Sequence, residues 1–156
     1  MSDEMPEPDE VNRWRAAANE GNIDAMTNLG LVCHQSGQLV GSDSAERWWM
    51  QAANAGSPDG MLNLGLLRHE QGRSLGPDSA ESWWEQAAEL GQSDALCNLG
   101  LLRHSQGRFT GPGSATELWE RAAEAGHGDA AYNLLMLKED QTASGDDGSG
   151  VTISGT

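Results

Sequence analysis

Apolar positions along this chain recur with the spacing of an amphipathic helix, and two kinds of stripe alternate. Within each stripe the residues fall mainly three or four positions apart, which places them on one face of a helix. One stripe consists of Ala45, Trp48, Trp49, Ala52 and Ala53. The other consists of Ala25, Leu29 and Val32. The pattern therefore predicts pairs of short helices.

Both stripes return with a period of 35 residues. Four tryptophans are separated by that step, namely Trp14, Trp49, Trp84 and Trp119. The sequence Asn-Leu-Gly recurs with the same step at 28–30, 63–65 and 98–100, and the fourth copy, at 133–135, reads Asn-Leu-Leu. A fixed period of about 20 to 50 residues is typical of a solenoid, in which each unit packs on its neighbours.

Polar residues and glycines predict where the helices begin and end. Three residue pairs have the spacing of a capping box at the start of the tryptophan-containing helix. These pairs are Asp43 with Glu46, Asp78 with Glu81, and Ser114 with Glu117. We expect Gly56 to end that helix in a left-handed conformation, and Ser57 to cap the next helix, with Pro58 at its first position.

A glycine also lies inside the second helix of each unit, where it costs about 1 kcal/mol relative to alanine. These glycines are Gly30, Gly65 and Gly100. We expect a neighbouring helix to approach closely there and the period-35 tryptophans to lie in the core. Trp48 and Trp83 either fill space between units or lie partly exposed. Leu135 replaces the glycine in the last copy, so that helix is predicted to be an end cap.

The repeated unit A-x-x-W-W-x-x-A-A-x-x-G-x-x-D-x-x-x-N-L-G resembles the Sel-one-like repeat, a relative of the tetratricopeptide repeat. The resemblance covers about residues 9–141. It implies an all-α superhelix, a solenoid of antiparallel helix pairs with about eight helices. A lone tryptophan helix, three full units starting near Asn22, Ser57 and Gln92, and a final capping helix make up that number. The resemblance also implies that the Asn-Leu-Gly helices line the concave side.

Charge narrows the classes of function. The chain of 156 residues has 24 acidic against 9 basic residues and a net charge of −15, which excludes nucleic-acid binding through phosphate contacts. No apolar run approaches the roughly 20 residues that span a bilayer. The acidic start MSDEMPEPDE lacks the features of a signal peptide, so a cytoplasmic location is predicted. Residues 1–8 and the Gly/Ser/Asp-rich tail 142–156 are expected to be disordered.

Two patterns that suggest chemistry are better explained by structure. Three histidines share one repeat position, namely His34, His69 and His104. Equivalent positions in stacked units should lie at least about 8–10 Å apart, too far to share a metal ion, so no metal or cofactor is predicted. A histidine there complements the helix dipole. The G-x-S-x-G match at 72–76 is interpreted as chance, because Leu39 and Phe109 are the equivalents of Ser74.

We therefore predict a protein that is not an enzyme. Some members of the Sel-one-like family have been linked to β-lactam compounds, so a β-lactam or cell-wall hydrolase is the alternative. Such an enzyme requires a nucleophile beside a base, and the sequence offers neither in matching repeat positions.

The remaining candidate is a binding surface on the Asn-Leu-Gly helices. One repeat position offers side-chain amides, at Asn28, Asn63, Asn98 and Asn133. In some tetratricopeptide domains an asparagine here holds a peptide carboxylate; alternatively, each asparagine tethers its own loop. The preceding position varies, as Thr27, Leu62, Cys97 and Tyr132, and is where selectivity could reside.

Basic residues near the C-terminal ends of these helices form a second candidate surface. These basic residues are Arg68, Arg73, Arg103, Arg108 and Lys138. Together with His34, His69 and His104, they either complement helix dipoles or form a docking edge for an acidic or C-terminal segment. The predicted function is a monomeric, non-catalytic interaction scaffold or adaptor that binds a peptide or partner domain in the concave groove.

Overall fold

A computed structural model describes residues 6–145, with side chains described up to Glu139. Over this part of the chain the protein contains eight helices and no strand. The helices are α1 (Pro8–Asn19), α2 (Ile23–Gln35), α3 (Ala45–Asn54), α4 (Pro58–Glu70), α5 (Ala80–Glu89), α6 (Ser93–Ser105), α7 (Ala115–Glu124) and α8 (Gly128–Gly145). The odd-numbered ones are called the Trp helices below, and the even-numbered ones the N-L-G helices.

Consecutive helices make the main contacts, from α1 with α2 through to α7 with α8. This pattern of contacts is that of a solenoid, because each helix packs against the helices next to it in the chain. The predicted all-α solenoid of eight helices is thereby confirmed over the described residues. The prediction of disorder at residues 1–8 and 142–156 is wrong at its inner boundaries, because α1 begins at Pro8 and α8 continues through residues 142–145. Residues 1–5 and 146–156 lie outside the described part.

In two of the Trp helices the N-cap residue lies one position after the residue that was predicted. The N-caps of α3 and α5 are Ser44 and Ser79. Each serine hydroxyl accepts a hydrogen bond from the backbone N–H of the residue three positions later in the chain, at 3.3 and 3.2 Å. The predicted cap Asp78 has a φ of +50°, whereas an N-cap residue has extended dihedrals. The prediction of Ser114 as the cap of α7 is confirmed.

The two aspartates that precede these serines bind tryptophan side chains instead. Asp43 accepts a hydrogen bond from Nε1 of Trp48 at 2.8 Å, and Asp78 accepts one from Nε1 of Trp83 at 2.9 Å. Trp48 is buried and Trp83 is half-buried, so both fill space between helices. The aspartates therefore fix the first tryptophan of each Trp-Trp pair.

The helix ends follow the sequence prediction. Gly56 has a φ of +88° after helix α3. Its N–H bonds the carbonyl of Ala53, and the N–H of Ser57 bonds the carbonyl of Ala52, at 2.9 and 3.0 Å. This pair of bonds is a Schellman motif, and it satisfies carbonyls that the helix end would leave unpaired.

The interior glycines of the N-L-G helices receive the tryptophans of the following Trp helices. A Cβ added at Gly65 would lie 2.2 Å from Nε1 of Trp84, and Gly30 and Gly100 have the same relation to Trp49 and Trp119. These three tryptophans are only 2–3 % exposed. The predicted close approach is therefore confirmed, and the neighbour that approaches is an indole ring.

Each of these buried indoles also makes a hydrogen bond with the helix on which it packs. The acceptors are the backbone carbonyls of Thr27, Leu62 and Cys97, at 3.2–3.3 Å from Nε1. Trp14 is only half-buried, because no N-L-G helix precedes α1 in the described residues. Leu135 of α8 is 54 % exposed, and no helix of the described part packs over it.

Candidate functional site

The asparagines of the N-L-G helices are exposed or half-buried in the structure. Asn28 is exposed, and Asn63, Asn98 and Asn133 are half-buried. The first three amides make no hydrogen bond with any other residue of the described part, whereas Asn133 Nδ2 contacts Cys97 Sγ at 3.9 Å. The hypothesis that these asparagines tether their own loops therefore finds no support.

An exposed apolar side chain lies three residues after each asparagine, on the same helix face. These side chains are Leu31, Leu66, Leu101 and Met136, with exposed fractions of 37–48 %. These residues were not predicted as part of a binding surface, although the sequence pattern indicates it. Residues three apart share a helix face, and this position is apolar in all four N-L-G helices. The N-L-G face is defined here as these four residues and the four asparagines.

Two neighbouring depressions on the N-L-G face share Asn98 and Leu101. One, of about 300 Å³, lies between α4 and α6 and is also lined by Leu66, His69 and Trp84. The other, of about 490 Å³, lies between α6 and α8. Its further lining residues are Asp94, Cys97, His127, Asp129, Tyr132 and Asn133. The two depressions lie side by side across three N-L-G helices and are together called the recess below; apolar, amide and carboxylate groups line them.

The rings of the three repeated histidines pack against the buried tryptophan rings. The ring centroids of His34, His69 and His104 lie 5.5–5.7 Å from those of the tryptophans in the next Trp helix. Each lies in the last turn of its N-L-G helix, as the dipole interpretation predicted. The described residues contain no group of three or more His, Cys, Asp or Glu able to hold a metal ion.

The prediction of an exposed basic edge is wrong for Arg68 and Arg103. Arg68 is 2 % exposed, and its guanidinium binds carboxylates on both sides, Glu46 at 2.7 Å and Asp78 at 3.0 Å. Burial acts to lower the pKa of Arg68, but these hydrogen bonds outweigh it and raise the pKa overall. For Asp78 burial acts to raise the pKa, and the bonds from Trp83 and Arg68 lower it below its usual value.

Arg103 repeats this arrangement with one partner missing. It is 7 % exposed and bonds Glu81 and Glu85, but its buried Nε has no partner in the described part of the chain. The repeat position of Asp78 is occupied by Gly113 here. Both arginines are thus buried against partly exposed carboxylates, and their guanidinium groups add no exposed positive charge to the N-L-G face.

The variable repeat position is exposed only at the end of the array. Leu62 is 9 % and Cys97 4 % exposed, because the next pair of helices covers them. Tyr132 is 62 % exposed, since no described helix follows α8. Among Leu62, Cys97 and Tyr132, only Tyr132 therefore presents an exposed side chain, and it lines the recess.

One contact was not anticipated from the sequence. Oγ of Ser74, the serine of the G-x-S-x-G match, lies 2.9 Å from Nδ1 of His69. The sequence argument concerned a nucleophile and a base at matching repeat positions, and this hydroxyl–imidazole contact occurs in one unit and does not recur in the next. The equivalent contact in the next unit joins His104 to Phe109, with ring centroids 5.1 Å apart, so the loop brings these two positions together whatever residues they carry.

The fold and its surface define a solenoid of helical hairpins with a recess along one set of helices. The Sel1 repeat pattern matches three consecutive ranges, 23–57, 58–92 and 93–127. The chain belongs to the Sel1 repeat family, and the ranges agree with the predicted units. No curated protein sequence matches the chain. None of the described helices is both long enough and apolar enough to span a bilayer.

Two solved structures share the fold. The Sel1 repeat protein from Oxalobacter formigenes is 24 % identical, with a TM-score of 0.62, over 81 % of this chain and 53 % of that one. A protective antigen present in uropathogenic Escherichia coli strains, displaying an SLR fold, is 24 % identical, with a TM-score of 0.63, over 81 % of this chain and 28 % of the antigen. The chain thus spans about half of the first structure and less of the second. At this identity the likeness shows the fold alone.

Proposed function

We propose that the protein is a non-catalytic interaction scaffold that binds an extended peptide or partner segment along the N-L-G face. The observation that carries this proposal is the recess across α4, α6 and α8, where the exposed side chains of Leu66 and Leu101 lie beside side-chain amides. Of these amides, Asn98 has no hydrogen-bond partner in the described residues, and Asn133 contacts only Cys97 there. Membership of the Sel1 repeat family adds support, because such repeats commonly serve as protein-interaction scaffolds. A repeat array presents one kind of contact at regular intervals.

Binding would combine two contributions in each unit. The leucine column removes apolar side chains of the partner from water, at about 25 cal/mol per Å² buried. The asparagine amides donate to and accept from the partner's backbone, which fixes its direction and register without demanding a particular side chain. Several weak contacts on one segment then add up to useful affinity.

A displayed random-peptide library, selected on the full chain, tests this proposal. Peptides that bind wild type should bind Leu101→Asp at least about tenfold more weakly, since the change places a charge at the centre of the recess. The matched control is Leu90→Asp, because Leu90 is 56 % exposed at the end of α5 and lines neither depression.

Both variants should keep the far-ultraviolet circular dichroism of wild type, because both leucines are half-exposed. Peptide binding that is indifferent to Leu101→Asp would remove the N-L-G face as the site.

A hydrolase remains the second candidate, favoured by one observation, the contact between Ser74 and His69. A serine nucleophile needs a base oriented by a third group. His69 has no carboxylate partner in the described residues, and its ring rests on Trp84. Hydrolysis of a chromogenic β-lactam or ester above background, abolished by Ser74→Ala, would establish this function; background rates in both proteins would exclude it for those substrates.

A further inference from the structure

The exposed charge of the N-L-G helices is almost entirely negative. Each of the four begins with an exposed aspartate in its first turn, and these residues are Asp24, Asp59, Asp94 and Asp129. Glu70 adds a further exposed carboxylate at the end of α4. Asp94 and Asp129 line the larger depression directly, and Asp24 and Asp59 line a third depression of about 490 Å³ between α2 and α4.

No arginine or lysine of α2, α4 or α6 offsets this charge. Arg68 and Arg103 are the only two such residues on these helices, and both are buried against carboxylates. Of the histidines, His34 already bonds Glu70 and His127 already bonds Asp94, at 2.9 and 3.0 Å. His69 and His104 pack against tryptophan rings. Lys138 is exposed, but it belongs to α8.

The carboxylates are available to a partner although some make weak internal bonds. Asp94 keeps 58 % of its side chain exposed beside His127. Asp59 accepts one hydrogen bond from Gln92 at 3.1 Å, which leaves its other oxygen free. Each aspartate can therefore accept a charge-assisted bond from a lysine or arginine at the rim of the recess.

We propose that the segment bound on the N-L-G face is basic as well as apolar, with lysine or arginine recurring at the spacing of the repeat units. This inference rests on the proposed function. The aspartates and the exposed leucines occupy matching positions in successive units, so a partner that contacts several units must present its cations and apolar side chains at the same interval. The cations meet the aspartates while apolar residues between them meet Leu66 and Leu101.

The opposite partner, an acidic or C-terminal segment, was the sequence-based expectation. It depended on a basic edge of five residues, of which Arg68 and Arg103 are buried. Arg73, Arg108 and Lys138 are exposed, but none of them lines the depressions on the N-L-G helices, and Arg73 bonds Asp78 at 2.8 Å. Like charges placed opposite each other across an interface cost affinity, so the aspartates also select against acidic segments.

The charge composition of peptides selected from the random library tests the inference. Enriched peptides should carry net positive charge and should bind Asp59→Asn/Asp94→Asn about threefold to tenfold more weakly than wild type, by fluorescence anisotropy. The matched control is Glu120→Gln/Glu124→Gln, which removes the same number of exposed charges from the Trp helix α7. That control should leave the affinity unchanged.

The other outcomes separate the inference from the function on which it rests. Enriched peptides that are acidic or neutral, yet lose binding to Leu101→Asp, would overturn the basic partner and retain the scaffold. Equal losses in the α7 control and the aspartate variant would also overturn it, since the effect would then reflect net charge alone. If no enriched peptide depends on Leu101, both proposals fail.

Discussion

Replacing Gly65 by alanine tests the packing on which the whole array depends. The added Cβ would lie 2.2 Å from Nε1 and 2.3 Å from Cδ1 of Trp84. Ordinary contact distances are about 3.5–4.0 Å, so the indole or the helix must move by about 1.3 Å or more. The ring has little room to do so, since Trp84 is 3 % exposed and bonds the carbonyl of Leu62.

Three contributions determine how much Gly65→Ala changes the free energy of unfolding. Overpacking of a core costs about 1–3 kcal/mol, and loss of the indole hydrogen bond costs about 0.5–1.5 kcal/mol. Alanine regains about 1 kcal/mol of helix propensity relative to glycine. We therefore expect a net destabilisation of about 2 kcal/mol, opposite in sign to what propensity alone predicts.

Urea unfolding followed by circular dichroism measures this difference. The control is Gly128→Ala at the start of α8, where an added Cβ meets nothing within 4 Å. That variant should equal wild type or exceed it by up to about 1 kcal/mol. Trp84→Ala alone should cost about 3–5 kcal/mol, and in its background Gly65→Ala should be neutral or stabilising. A stabilising Gly65→Ala, or a cost that persists without the indole, would refute the packing argument.

Three further changes probe the helix caps and the buried charges. Ser79→Ala removes the N-cap of α5 and should lower the free energy of unfolding by about 1 kcal/mol in urea, whereas no change would discount the cap. Arg68→Met leaves Glu46 without its cation and leaves Asp78 with Arg73 alone, and it should cost about 2 kcal/mol in the same assay, because both carboxylates are partly exposed; a variant as stable as wild type would refute this. The pKa of Asp78 is lowered by folding, so its stabilisation is complete above the unfolded value near pH 4 and is lost as pH falls through the folded value. Unfolding measured between about pH 7 and pH 2 should therefore depend less on pH in Asp78→Asn.

The fold was predictable because its decisive interactions repeat. Gly65 and Trp84 recur at fixed positions of every full unit, so the sequence shows the glycine together with the residue that requires it. The caps were less predictable. Asp78 and Ser79 are both common N-cap residues, and only the left-handed backbone of Asp78 and its bond to Trp83 distinguish them.

The candidate site was predictable only in part. The asparagines and the exposed leucines follow from helical spacing, although the leucines were overlooked. The burial of Arg68 did not follow from spacing, because Glu46 belongs to the preceding Trp helix, and its approach depends on how α3 and α4 pack. A basic residue near a helix end looks the same in sequence whether it faces solvent or a carboxylate of another helix.

Leu135 determines where further repeats can be added to the array. At the equivalent place in the three preceding units an indole occupies the space over a glycine, and a leucine side chain there excludes it. Duplication of a 35-residue block inside the array preserves every glycine–indole pair, whereas docking of a further Trp helix onto α8 does not. The same side chain bars the Trp14 helix of a second molecule from docking end to end, a contact that does not close on itself and would propagate as a filament.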